Sequence, residues 1–220
     1  MKLVIFNGSP KKGKNNTAVL TGSLLKGFTE NAGNSYEEHR LNGFKSLNEA
    51  VEIFKQSEYI LLAFPLYSYS MPAGVMEFIE ALEPLCGKCA GKKIGYLVQF
   101  GFPEAVHARA LEKYQKKLTE RLGAEYLGTI IKGGCNNLSI GPERFFKKIL
   151  NGAYEIGRTF GKSGKLDKNM LDEYSKPENQ TKKSRLKMKL FCMMANKFYW
   201  GAELKKNGAY DRSFARPYAQ

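Results

Sequence analysis

The run Leu3-Val4-Ile5-Phe6 is apolar at every position, and that continuity constrains the fold more than any other feature of the chain. A strand with one wet face alternates apolar and polar residues, whereas a strand covered on both faces of a parallel sheet does not. The run ends in Asn7-Gly8-Ser9-Pro10-Lys11-Lys12-Gly13-Lys14-Asn15-Asn16-Thr17, which is small, polar and basic. Leu20, Leu24, Leu25 and Phe28 then recur at helical spacing, with Asn16 or Thr17 placed to cap the first turn. A strand that feeds a helix through such a loop points backbone N–H groups and the positive end of the helix dipole at one spot, and that spot attracts phosphate.

The same junction recurs along the chain. Tyr59-Ile60-Leu61-Leu62-Ala63-Phe64 runs into Pro65-Leu66-Tyr67-Ser68-Tyr69-Ser70-Met71-Pro72, and Val75, Phe78, Ile79 and Leu82 mark the helix that follows. Ile94 to Phe100 runs into Gly101-Phe102-Pro103, followed by a helix over about 104–121. Ser35 to Leu41 reads as a weaker edge strand, and Ala50, Ile53 and Phe54 as a short helix. Leu127 to Ile131 reads as a strand, and Phe145, Ile149 and Ala153 mark a helix after Pro142. Five rounds of strand and helix predict a five-stranded parallel sheet with helices on both faces, and such sheets bind ligands outside the carboxyl ends of their strands.

After Lys162 the composition shifts to Gly, Lys, Ser and Asp through Lys183 and the apolar periodicity fades, so a linker or loosely packed strap is expected there. The predicted division is a domain of residues 1–163 and an extension of residues 164–220. Leu186, Leu190, Met194 and Phe198 resume helical spacing beside Arg185, Lys187 and Lys189, before an irregular end from Gly208 to Gln220. The net charge of +14 is concentrated here, since Gly161–Gln220 holds 14 Lys or Arg against 6 Asp or Glu. A nucleic-acid partner would need a recognisable module and none is present; lysines flanking Phe, Met and Trp also fit peripheral contact with a membrane surface. Packing of this helix on the domain or on a second subunit, as in a homodimer, is the favoured expectation.

Three phosphate ligands compete for the opening loop. Gly8, Gly13 and Lys14 fit the GxxxxGK part of a nucleoside-triphosphate loop, but Asn15 stands where that pattern needs Ser or Thr, and no acid follows Phe64 to hold magnesium. A dinucleotide fold needs GxGxxG and an acid about 20 residues on, and neither is present. The third ligand is flavin mononucleotide (FMN).

Gly8-Ser9-Pro10-Lys11-Lys12 with Asn16-Thr17 resembles the phosphate loop of the flavodoxin-like NAD(P)H-dependent FMN reductases and NAD(P)H:quinone reductases. Pro65-Leu66-Tyr67 followed by Met71-Pro72-Ala73 is similar to that family's second flavin loop. The resemblance covers about residues 1–160 and implies a flavodoxin-like three-layer sandwich. It also implies that Ser9, Lys11, Asn16 and Thr17 surround the FMN phosphate and that Pro65, Leu66, Tyr67 and Ser68 run along the isoalloxazine. Gln99, Phe100, Gly101 and Phe102 are then expected at the pyrimidine edge of the ring. NAD(P)H as cosubstrate and a small electron acceptor (a quinone, flavin, nitro or azo compound) are implied in the same way. Lys11 stands where the family commonly carries arginine.

The remaining reactive residues carry little. Cys86 and Cys89 form a single CxxC, and with Cys135 and Cys192 isolated they are too few for a zinc or iron–sulfur site, so no metal is expected. His39 and His107 stand beside no nucleophile, and Tyr69 is expected to be a loop aromatic. No catalytic residue stands out, as expected where a cofactor does the chemistry. The N-terminus enters a strand directly and no apolar run approaches a membrane span of roughly 20 residues, so a cytoplasmic location is expected.

Overall fold

A computed structural model describes residues 1–216. Residues 217–220, part of the irregular end expected after Gly208, lie outside the described residues, as do the side chains of Lys182, Lys183, Ser184 and Lys187. The chain forms two compact units, one spanning Met1–Glu178 and one beginning at Asn179.

The first unit is built from β1 (Lys2–Asn7), α1 (Asn16–Phe28), β2 (Ser35–Arg40), α2 (Leu47–Gln56), β3 (Tyr59–Pro65) and α3 (Ala73–Ala81). It continues through β4 (Lys93–Gln99), α4 (Val106–Leu122), β5 (Glu125–Lys132), α5 (Lys147–Ser163) and α6 (Lys168–Ser175). All five strands are parallel in the order β2-β1-β3-β4-β5, the flavodoxin-like order, whose direction of winding reverses between β1 and β3. The weakly apolar β2 is the edge strand, exposed along most of its length.

Successive side chains of β1 serve opposite faces of the sheet. Leu3 and Ile5 pack with Leu24, Phe28, Ile156 and Phe160 on the side of α1 and α5, while Val4 and Phe6 pack with Phe54, Val75 and Phe78 on the side of α2 and α3. Both sets are buried to within a few per cent, which is why the strand carries no polar face. The α1 and α5 helices approach so closely that a Cβ at Gly157 would lie 1.9 Å from the Leu24 carbonyl oxygen.

One expectation is corrected. The segment read as a linker or loosely packed strap contains α6, capped by Asp167, whose side chain accepts from the Met170 N–H at 2.8 Å. Leu166 and Leu171 are buried in the same core layer as Leu3 and Phe160, and Leu171 fills the space that a side chain at Gly128 of β5 would occupy. Met170 and Tyr174 pack against the same layer, and the Tyr174 hydroxyl donates to the Ile149 carbonyl at 2.9 Å, so the helix is anchored in spite of the Lys, Asp and Gly around it. Beyond α6, Pro177 and Glu178 accept from the N–H groups of Ala105 and Val106, and Arg109 grips the Glu178 carboxylate at 2.7–3.1 Å. The first unit therefore reaches past the expected 163/164 division and fixes the start of α4.

Candidate functional site

At the carboxyl end of β1 the chain turns sharply. Gly8 donates to the Ala63 carbonyl at 2.8 Å, and a Cβ there would lie 2.1 Å from Val75 Cγ2, so the backbone crosses the end of the sheet where only glycine fits. Asn7 Oδ1 accepts from the Ser9 N–H at 3.1 Å, holding Ser9 in a buried position. The cap of α1 is Asn15, one residue before the two expected: its Oδ1 accepts from the Ala18 N–H at 2.9 Å and its Nδ2 donates to the Gly13 carbonyl at 3.1 Å. The N–H groups of Asn16 and Thr17 open the helix, where no intrahelical acceptor exists.

The side chains of Asn16 and Thr17 are engaged elsewhere. Asn16 Nδ2 donates to the Cys135 carbonyl and its Oδ1 accepts from the Ser139 N–H, both at 2.8 Å. This ties the start of α1 to the loop after β5. Thr17 is fully buried, and its hydroxyl accepts from Gln99 Nε2 at 3.2 Å.

After β3, Leu66 donates to the Gln99 carbonyl, and Tyr67 and Ser70 exchange backbone hydrogen bonds of 2.9 Å. The two residues between them, Ser68 and Tyr69, both have positive φ, 48° and 63°. That pair of left-handed residues makes a turn of the tight hairpin kind and holds Tyr67 and Tyr69 at least half exposed. Strain of this sort at non-glycine residues is costly and concentrates at ligand-holding sites.

The loop after β4 leans on the loop after β5. Phe100 donates to the Lys132 carbonyl, Cys135 donates to the Phe100 carbonyl and Gly134 to that of Phe102. A Cβ at Gly101 would meet the Asn136 side chain at 2.5 Å. Phe100 is buried, while Phe102 is exposed, with its ring centroid 5.3 Å from that of His107. Tyr69 lies 5.5 Å from the same imidazole. Glu104, almost fully buried, sits 3.6 Å from His107 Nε2.

Ser9, Lys11, Asn16, Pro65, Tyr67 and Gln99 thus line one cleft of about 150 Å3 at the carboxyl ends of β1, β3 and β4. Leu66, Ser68, Phe100, Gly101, Phe102 and the Thr17 side chain do not line it; they shape or support the loops that do. Asn15, Asn137, Ser139 and Ile140 complete the lining, three of them from the loop after β5, which the sequence reading passed over. A larger, more apolar cavity of about 310 Å3 lies nearby, between Tyr69, Met71 and Met76 on one side and Leu111 and Tyr114 of α4 on the other. It offers no cation and no helix N-terminus.

The sequence matches the family model described as the flavodoxin-like fold over residues 1–151. No curated protein matches it. Among solved structures, the chain resembles NAD(P)H:quinone oxidoreductase from Methanothermobacter marburgensis, with 17% identity over 73% of this chain and 96% of that one and a TM-score of 0.58. It also resembles an FMN-dependent NADH-azoreductase from Bacillus anthracis, solved in complex with FMN, with 15% identity over 73% and 97% of the two chains and a TM-score of 0.55. The Trp repressor binding protein from Bacillus subtilis is similar at 18% identity, 70% and 96% coverage and a TM-score of 0.56. Likeness at these identities is likeness of fold, and together with the family match and the strand order it establishes that the chain belongs to the flavodoxin-like fold family.

Proposed function

We propose that the chain is an FMN-dependent oxidoreductase that takes hydride from NAD(P)H and passes electrons to a small flat acceptor such as a quinone, flavin, nitro or azo compound. The observation that carries this reading is the cleft at the strand-order reversal, which gathers an anion-binding helix start, a buried serine and a lysine with an aromatic loop. Several neighbours of the same fold are described as NAD(P)H:quinone oxidoreductase, azoreductase or NADH-azoreductase, which supports the same reaction class.

The donor set fits FMN. A phosphomonoester carries close to two charges, which the N–H groups of Asn16 and Thr17, the Ser9 hydroxyl and the Lys11 ammonium would neutralise without a metal. The Asn16 side chain contributes by bracing the cleft wall, since both ends of its amide are already bonded. Tyr67 and the backbone from Pro65 to Ser68 would flank the ring, and Gln99 would reach its polar edge. When bound, FMN supplies hydride acceptance and electron relay; the chain's residues orient it and exclude water from its buried face. The exposed rings of Tyr69 and Phe102 with His107 offer a flat apolar rest for a planar acceptor. A second copy seated over exposed Met76, Val106 and Tyr114 completes the proposal as a homodimer.

Purified protein loaded with FMN is expected to bleach when NADH or NADPH is added without oxygen. A protein that takes up no FMN contradicts the reading, and one that keeps its yellow colour with both nucleotides is a carrier without hydride chemistry.

A further inference from the structure

The unit beginning at Asn179 presents a chemistry that the flavin reading does not use. Its α7 (Lys182–Ala195), a wide-wound turn over Asn196–Trp200 and α8 (Gly201–Lys206) follow one another without interruption, a rod of roughly 37 Å at the α-helical rise. Leu186, Leu190, Phe191, Met194, Phe198 and Trp200 are each more than half exposed. They do not share one stripe. At helical spacing Leu186 and Met193 leave α7 on one side and Phe191 on the opposite side. Leu186, Leu190 and Met194 fill the arc of about 160° between Met193 and Phe191, with Arg185 and Lys189 on the remaining side, and so wide an apolar face beside basic residues is the pattern of a helix that lies in a membrane interface.

Charge narrows the occupant. From Asn179 to Gln220 the chain has ten Lys or Arg against two Asp or Glu, so pairing this unit with itself sets like charges together. A nucleic acid would meet the charge but leave Leu186, Leu190 and the methionines in water. An anionic bilayer meets both: headgroup phosphates take the cations, and the acyl boundary takes the apolar side chains. Tyr199 and Trp200, with ring centroids 5.2 Å apart, are the residue types that settle at headgroup level, and Lys189 and Lys197 can extend their stems along the apolar surface to the headgroups. No described helix is long and apolar enough to cross a membrane, so the rod would lie in the interface.

We propose that this unit is a peripheral anchor for an anionic lipid surface, with Phe191 and Phe198 in the acyl boundary, Trp200 at headgroup level and the basic residues on the headgroups. The proposal stands independently of the flavin assignment.

Trp200 is the only tryptophan in the chain, so its emission reports this unit alone. Full-length protein is mixed with vesicles of phosphatidylcholine, with or without phosphatidylserine. Co-sedimentation with the phosphatidylserine vesicles only, with a blue shift of Trp200 emission that high salt reverses, is the expected result. A chain carrying Arg185→Gln, Lys189→Gln, Lys197→Gln and Lys205→Gln should partition at least about a hundredfold more weakly, at about fivefold per basic residue. Phe191→Ser with Phe198→Ser should weaken partition at least tenfold, with the far-ultraviolet circular dichroism of the folded chain retained. The proposal is overturned by absence from both pellets, or by variants that bind as the parent does. It is equally overturned if Trp200 emission is already blue in buffer and the two serines convert a dimer to a monomer, which assigns the surface to a second copy. Binding of an oligonucleotide that survives loss of both phenylalanines, with no vesicle binding, assigns it to nucleic acid and also overturns the proposal.

Discussion

The Gln99 side-chain amide donates to the Thr17 hydroxyl across 3.2 Å, with both residues buried. One bond therefore joins the carboxyl end of β4 to the first turn of α1, and it sets the distance between the ring edge and the phosphate end of the proposed flavin site. Thr17→Val keeps the shape of the side chain and leaves the Gln99 N–H without its partner, at a cost of about 1–3 kcal/mol. Urea unfolding should register that loss. FMN affinity should fall with it, because the cleft loses its brace and none of the donors proposed for phosphate.

Asn16 gives a related expectation. Its amide bonds both the Cys135 carbonyl and the Ser139 N–H at 2.8 Å, so Asn16→Ala removes two hydrogen bonds between elements distant in sequence. A loss of about 2 kcal/mol is expected in equilibrium unfolding. Hydrogen exchange should quicken at Ser139.

Glycine at two crowded positions is required by space. A Cβ at Gly8 would meet Val75 at 2.1 Å and one at Gly157 would meet the Leu24 carbonyl at 1.9 Å. Overpacking of this kind costs about 1–3 kcal/mol, and the backbone at Gly157 has no rotamer by which to yield. Both alanine variants should melt earlier than the parent. Only Gly8→Ala should also change FMN uptake, since it moves the loop and Gly157→Ala does not.

The four thiols should report their surroundings in order. Cys192 is exposed, Cys86 half-buried, and Cys89 and Cys135 buried. Burial raises the Cys135 thiol from its ordinary value of 9.0 to about 12, so a thiol reagent at neutral pH should modify Cys192 quickly and Cys135 only on unfolding. The linkage has a definite sign. The folded state holds this proton more tightly than the unfolded chain, so the contribution is fully present below about pH 9 and is lost as pH rises from about 9 to about 12. Cys135→Ala should flatten that alkaline decline in stability. An unchanged slope would mean that other groups govern it.

Much of this was legible in the sequence because burial on both faces leaves so strong a mark. Leu3 to Phe6 and Tyr59 to Phe64 read as interior strands from their composition alone, and the loops after them follow. The edge strand β2 was found from a weaker alternation, and the structure shows why it is weak: its side chains face solvent. Helix α6 was missed, because its anchors Leu166, Met170, Leu171 and Tyr174 lie among Lys, Asp and Gly, and a helix of eight residues is too short for them to repeat a period. The loop after β5 was missed for a different reason. Gly133, Gly134, Asn136 and Asn137 follow an apolar strand just as Gly8 and Ser9 do, and the signal was there to be read. The roles of Asn16 and Thr17 were beyond sequence, since Cys135, Ser139 and Gln99 reach them only through the fold.

The claim at the centre is that the cleft beside Ser9 and Lys11 holds the phosphate of a flavin, and comparing FMN with riboflavin in one titration tests it most directly. The two ligands share the ring and the ribityl chain and differ only in the phosphate. FMN should bind at least about a hundredfold tighter, and Ser9→Ala with Lys11→Gln should erase most of that advantage while leaving riboflavin affinity unchanged. Equal affinity for the two ligands in the parent protein would contradict the assignment.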